Sequence, residues 1–325
     1  MASVWKDNKI LKKWYKKRCL DFFDGNFNFN LTDLMSDPLL DAISKDIGVN
    51  KEYIYLGAGI SQFIGVILSM DCWKNIYIPS IEFGLYLRQG EKLDKKLIKV
   101  PSSSLEEILT NLKKYKTSEN DLLCISSPRW FDGEMLSKEQ LNMLLESFKG
   151  TIVIDEAYVD YSSNEKGLLN ECLNNERIIL LRSFSKKYFA AGLRVGYLVT
   201  TKSIEGLRNT LIPPHSISTF SANLSISLLN DKDVVELFSN TRNYVRKNRD
   251  TLYEYLKNNA RFEARESQAN FLTLQFSSRD ELEKTFNDLK GLPGIQKFEI
   301  DNTLFLKIWI SDARFSNVVL TRING

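Results

Sequence analysis

The chain is poor in residues on which many catalytic centres are built. Among 325 residues there is one histidine, His215. A Ser-His-Asp nucleophile or a multi-histidine metal site each needs an imidazole in a defined place, so both are nearly excluded. His215 lies in "IPPHSIS" and reads as a loop or site-wall residue. The four cysteines, Cys19, Cys72, Cys124 and Cys172, are far apart and form no CxxC pair. That argues against a zinc centre and a disulfide framework, and fits a reducing cytoplasm. No metal is expected. No apolar run approaches the length of a membrane span, and the N-terminus lacks the apolar core of a signal peptide. A cytoplasmic protein without a membrane partner is the expectation. The net charge is only +3, too small to argue for nucleic acid. The one basic cluster, "KKWYKKR" at residues 12–18, is read as the solvated face of an N-terminal helix.

What is present is the composition of an ordinary globular chain, 43% hydrophobic and 26% charged, with room for one large or two modest domains. Short, β-branched apolar runs recur with helical patterns between many of them. Strands are predicted at "YIYLGA", "NIYIPS", "KLIKVP", "DLLCIS", "TIVIDE", "RIILLRS" and "VGYLVT", starting at Tyr53, Asn75, Lys96, Asp121, Thr151, Arg177 and Val195. Most are continuous rather than alternating, which marks strands buried on both faces in a mostly parallel sheet covered by helices. Helices are predicted over 104–116 and 137–149, each with a serine N-cap and Glu or Gln at N3, a capping-box pattern. Beyond Thr200 the character changes. A long helix is expected over about 234–257, then "NFLTLQF" and "FLKIWIS" as half-buried strands. The expected class is therefore α/β: a three-layer large domain on a seven-stranded, mostly parallel sheet over 38–233, and a smaller α+β domain from 1–37 and 234–325.

Ligands of an open parallel sheet collect beyond the carboxyl ends of its strands. The first strand ends in "LGAGISQFIG", where Gly57 and Gly59 permit a tight turn and a helix starts near Ile60, so free N–H groups there suit a phosphate. The fifth ends in "IDEAYVDY", placing the Asp155 carboxylate at the ligand edge. It can pair with a protonated ring nitrogen, or it caps the next segment. The sixth ends in "RSFSK". An amine such as that of Lys186, in a desolvated cationic site, becomes a nucleophile toward carbonyls. Ser183, Ser185 and Arg194 can share one phosphate. Each signal alone has a plain structural alternative. Together they offer the three partners that an electron-sink cofactor with a phosphate, a pyridinium nitrogen and an aldehyde requires.

With "SxSK" followed by Arg194 eight residues past Lys186, and "DEAY" about thirty residues before that lysine, the chain resembles the fold-type I pyridoxal phosphate enzymes. Within them it looks like the class I/II aminotransferases, in the histidinol-phosphate aminotransferase and threonine-phosphate decarboxylase branch, from about Asp37 to the end. The resemblance implies an aspartate aminotransferase-like fold, pyridoxal 5'-phosphate as cofactor, and a homodimer. It implies that Lys186 is the Schiff-base lysine and proton shuttle, Asp155 the partner of the pyridinium, and Tyr158 the partner of the ring hydroxyl. Ser183, Ser185 and Arg194, with backbone N–H groups at Gly59, Ile60 and Ser61, would bind the phosphate. Phe83 in "IEFGLY" would stack on the ring, and Asn270 in "SQANF" would face the site from the smaller domain.

Three departures from that pattern bear on the substrate. Trp130, in "SPRWFDG", stands where the family carries an asparagine bonded to the ring hydroxyl. Lys307, in "LKIWIS", stands where it carries the arginine that grips a carboxylate, and a second basic position is Lys297 rather than arginine. Met35, in "LMSDP", stands where a tyrosine is lent across the dimer to the phosphate. The expected activity is transfer of an amino group between an amino acid or amine donor and a keto acid or carbonyl acceptor. Decarboxylation or elimination of an amino acid or phospho-amino acid on the same site stays open, and so does a non-catalytic cofactor-binding relative.

Overall fold

The computed structural model describes residues 9–24, 36–202 and 216–324. Met35 and His215, and what the sequence suggested for them, lie outside the described residues.

All seven expected strands form one sheet: β1 (Ile54–Gly57), β2 (Asn75–Pro79), β3 (Lys96–Val100), β4 (Asp121–Ser126), β5 (Thr151–Asp155), β6 (Ile178–Ser183) and β7 (Gly196–Val199). Their order is β1-β7-β6-β5-β4-β2-β3. Strands β2 to β6 pair in parallel, while β7 runs antiparallel to both β6 and β1. The reversal follows from the connection. A parallel return needs a crossover with a substantial helix, and residues 184–195 hold only the one-turn helix Phe184–Lys187 and a 3-10 turn.

The continuous apolar runs are explained by two cores, one on each face. Along β4, Leu123 and Ile125 join one cluster with Ile152, Ile154 and Leu180, while Leu122 and Cys124 join the other with Val153, Ile179 and Leu181. Successive side chains alternate faces, and both faces are covered, so every position must be apolar. Between strands, helices Leu105–Leu112 and Lys138–Ser147 sit where expected. Ser137 and Gln140 form a complete capping box. Ser104 caps its helix through the Glu107 N–H at 3.1 Å, but the Glu107 carboxylate takes the Ser103 N–H, not that of Ser104.

The second sheet is antiparallel, in the order β10-β11-β9-β8, from β8 (Glu263–Arg265), β9 (Phe271–Phe276), β10 (Ile295–Ile300) and β11 (Thr303–Trp309). Its helical cover includes Lys232–Leu256, close to the expected span. β10 and β11 form a hairpin through Asp301 and Asn302, at φ 51° and 60°, the left-handed pair that a two-residue turn requires. Strands β8 and β10 were not foreseen, because "EAR" is too short and "IQKFEI" too polar to signal. The expectation of half-buried strands is corrected for β9, which is buried at five of six positions. Its second face is covered by the loop at residues 127–133, where Phe131 packs on Phe305 of β11 at 4.8 Å, and by Tyr158, 5.4 Å from Phe271. No helix among the described residues is long and apolar enough to cross a membrane.

Just past β5, Glu156 is buried and takes two bonds from Arg182, from Nε at 2.9 Å and Nη2 at 2.7 Å, and one from the Leu168 N–H at 2.7 Å. Glu156→Ala leaves the Arg182 guanidinium buried without its counter-charge, and is expected to destabilise by about 3–5 kcal/mol in denaturant unfolding. A loss below about 1 kcal/mol, the worth of an exposed pair, would contradict a structural role for it.

Candidate active site

The carboxyl ends of β1, β4, β5 and β6 and the start of β7 surround one cavity of about 230 Å³. Its walls include Ile60, Ser61, Phe83, Trp130, Asp155, Tyr158, Ser183, Ser185, Lys186 and Arg194, all named from sequence. Ser126, Ala157 and Ala191 also line it. Ser126 ends β4, so the strand-end rule could have found it; the two alanines carry no chemical signal.

One side of the cavity is an anion cup. Gly59 precedes helix Ile60–Ser69 at φ 78° and supplies no side-chain cap, so the first amides of the helix are left for a ligand. Gly59 does not itself line the cavity; its role is spatial. A Cβ there would lie 2.8 Å from Nη2 of Arg194. Arg194 holds a left-handed backbone, φ 53° and ψ 44°, and its Nη1 donates to the Ala191 carbonyl at 3.1 Å. Ser183 Oγ accepts the Ser185 N–H at 3.0 Å and so caps the turn that carries Lys186. The cup thus combines helix amides, two serines and a guanidinium, a donor set for a phosphate.

The other side is dry and titratable. The Lys186 amine lies 5.1 Å from the ring centroids of both Tyr158 and Trp309. Burial brings its pKa down to about 8, with the Asp155 charge pulling the other way. The Asp155 carboxyl is pushed up to about 7, chiefly by burial. The nearby Glu82 charge adds to the rise, while the Ala157 N–H at 3.0 Å and the Tyr86 hydroxyl at 3.1 Å oppose it. Tyr158 is buried and its hydroxyl keeps its proton far above neutral pH. Glu82 and Tyr86 were missed by sequence reasoning. Glu82 accepts from Ser126 N–H at 2.9 Å, from Ser126 Oγ at 2.7 Å and from Phe83 N–H at 2.7 Å, so it positions both a wall and the aromatic residue. Phe83, 37% exposed, forms the open side.

Three expected participants stand elsewhere. Asn270 is 1% exposed and does not line the cavity, but its Oδ1 has no hydrogen-bond partner. Lys307 is fully buried behind the wall and donates to the Trp130 carbonyl. Lys297 is on the surface, paired with Glu283 at 2.7 Å, because the β10 register points it away from the site.

Residues 16–292 match the family model described as aminotransferase class I and II. The chain belongs to that family. The histidinol-phosphate aminotransferase of Christiangramia forsetii is 26% identical over 227 residues, 66% of this chain and 64% of that protein, just under two thirds of its length. Among solved structures, the fold is similar to L-threonine-O-3-phosphate decarboxylase from Porphyromonas gingivalis, with TM-score 0.77 and 16% identity over 99% of both chains. It is also similar to aspartate aminotransferase from Thermotoga maritima, with TM-score 0.76 and 17% identity over 95% of this chain and 86% of that one. These likenesses establish the aspartate aminotransferase-like fold expected of the family.

The buried carboxyl generates a pH prediction for the cofactor-free protein. Folded Asp155 holds its proton up to about pH 7, whereas the unfolded chain releases it near 3.8. The folded state therefore binds more protons between those values, and stability falls as pH rises through that window, by up to about 4 kcal/mol. Asp155→Asn does not titrate and removes this part of the fall. Denaturant midpoints should show the variant more stable than its parent above pH 7; parallel pH profiles would contradict the assignment.

Proposed function

We propose that the chain is a pyridoxal 5'-phosphate-dependent aminotransferase, moving an amino group between an amino acid or amine donor and a keto acid or carbonyl acceptor. The observation that carries this reading is the convergence of Lys186, Asp155 and the anion cup on one cavity. The residues fit the cofactor on three counts. The helix at Ile60 begins with uncapped amides beside Arg194. Asp155 has a proton affinity near neutrality at the opposite wall. The Lys186 amine is partly unprotonated at pH 7 to 8 through burial. When bound, pyridoxal phosphate supplies an aldehyde and an electron-withdrawing ring that eases loss of a proton beside a substrate's nitrogen.

The chain's own residues do the rest. Ser183, Ser185, Arg194 and the amides of Ile60 and Ser61 hold the phosphate. Asp155 keeps a proton at the ring nitrogen. The Tyr158 hydroxyl, protonated at all working pH values, donates to the ring oxygen. Phe83 and Trp130 wall the cavity, and Phe83 would be the aromatic residue that packs against a bound ring. With the cofactor bound, Lys186 Nζ would be the group that holds its aldehyde, and as a free amine it would accept and return a proton beside the substrate's nitrogen. Asn270 Oδ1, buried and unpartnered, awaits a donor. A cytoplasmic homodimer and the division into 38–233 against 1–37 with 234–325 belong to the same proposal. The separate hydrophobic cluster of the four-stranded sheet supports setting the C-terminal part apart, whereas Leu11 of the N-terminal helix packs in the cluster of the large sheet. A second reading, decarboxylation or elimination of an amino acid, is favoured by Lys307, which is turned to a backbone carbonyl instead of into the cavity.

The test is spectroscopic. Protein saturated with pyridoxal phosphate is expected to show a bound-cofactor band that glutamate converts to the pyridoxamine form, and borohydride should fix the label on Lys186. Lys186→Ala should lose the label and at least about 10²-fold in turnover. Label without conversion by any amino donor would move the assignment to decarboxylation or elimination. Absence of both band and label would overturn the cofactor.

A further inference from the structure

The loop at residues 127–133 is not a free rim of the cavity. It is tied at three points to the four-stranded sheet and to the segment that leads into β9. Thr273 Oγ1 donates to the Phe131 carbonyl at 2.6 Å, the Gln268 N–H donates to the Gly133 carbonyl at 2.8 Å, and Lys307 Nζ donates to the Trp130 carbonyl. Thr273 and Lys307 are opposite one another in the register of β9 and β11, so the two side-chain donors form one cross-strand pair aimed at consecutive carbonyls. Aromatic contacts close the seam. Trp130 meets Phe298 at 5.4 Å and Phe131 meets Phe305 at 4.8 Å.

Lys307 itself is 0% exposed. Its Nζ lies 3.7 Å from the ring centroid of Phe271, 4.0 Å from that of Trp130 and 5.2 Å from that of Trp309. Ring faces attract a cation, and a buried ammonium needs such partners together with its hydrogen bond. Burial still lowers its proton affinity well below that of an exposed lysine, with the Asp132 charge opposing. Trp130 lines the cavity and Lys307 does not. A carboxylate in the cavity would have to move the Trp130 indole to reach this amine.

We propose that Lys307 is a positioning residue that ties the Trp130 carbonyl to β11 and so holds the indole as a wall of the cavity, without receiving a substrate carboxylate. The effect on turnover rests on the aminotransferase reading; the tie does not. Lysine suits the task as a compact point donor with three N–H groups, where a planar guanidinium fork would need a second acceptor.

The experiment labels the five tryptophans with 5-fluorotryptophan and follows the fluorine resonances with and without pyridoxal phosphate. Trp130→Phe assigns the Trp130 line. Lys307→Met keeps the apolar stem and removes the donor. It is expected to move the Trp130 line by more than its width while that of Trp73, whose indole donates to the Ile67 carbonyl, stays in place and reports folding. Succinate added to the parent holoprotein should leave the Trp130 line unmoved. With glutamate and 4-aminobutyrate, kcat/KM should fall by a common factor of about tenfold in Lys307→Met. An unmoved Trp130 line in the variant, a succinate-induced shift in the parent, or a loss confined to glutamate would overturn the proposal. If Lys307→Met does not fold, Lys307→Gln, with a shorter reach, is expected to shift the same line. Failure to load cofactor would sink the aminotransferase reading, and the resonances of the cofactor-free protein would still decide the tie.

Discussion

The site depends on one close approach of backbone to backbone. Gly196, the first residue of β7, presses against the turn that follows β1. A Cβ on Gly196 would lie 2.9 Å from the carbonyl carbon and 3.0 Å from the Cα of Gly59, and 3.0 Å from the amide nitrogen of Ile60. No other residue type fits there without moving the turn. The same strand pairs Gly196 with Gly57 on one side and with Ser183 on the other. The helix amides after β1, the serines at the end of β6 and Arg194 before β7 are thereby fixed at one edge. The antiparallel course of β7 is what brings its first residue, and not its last, to this edge.

Around that edge the chemistry is set by dehydration. Asp155 and Lys186 are drawn toward one another in proton affinity, the acid upward to about 7 and the amine downward to about 8, and for both the largest cause is burial. Each is then poised to gain or lose a proton near neutral pH. The buried Glu82 adds a second layer. Its carboxylate grips both the amide and the hydroxyl of Ser126, and Ser126 Oγ accepts the Trp130 N–H at 2.7 Å. One carboxylate therefore contributes to the proton affinity of Asp155 and to the placing of the loop that walls the cavity.

The smaller sheet closes the arrangement. Its contribution is mechanical as much as chemical: Thr273, Gln268 and Lys307 hold the 127–133 loop, and Gly133, at φ 78°, packs where a Cβ would overlap the Ser267 hydroxyl at 2.0 Å. Where the family pattern placed a carboxylate receptor, this chain has a wall support.

Much of this was legible in the sequence, for physical reasons that can be named. Unbroken apolar runs disclose strands covered on both faces, and all seven were locatable because each ends at a change to glycine, proline, serine, threonine or aspartate. The strand-end rule then collected Asp155, Lys186, Ser183 and the turn before Ile60 into one site, since those residues are local in sequence to the strands that carry them. Local rules could not tell that β7 reverses, that "IQKFEI" is the polar edge of a second sheet, or that Glu82 and Tyr86 would meet Ser126 and Asp155 across 44 and 69 residues of chain. Nor could they tell where the Lys307 amine would point. The resemblance to the family pattern suggested the cavity, and the β9–β11 register sent it to the Trp130 carbonyl. The direction of a side chain, and hence what a charge binds, depends on partners that only packing brings together. Local sequence disclosed the strands of the large sheet and the groups at their ends; packing chose which of those groups face the cavity and which hold its walls.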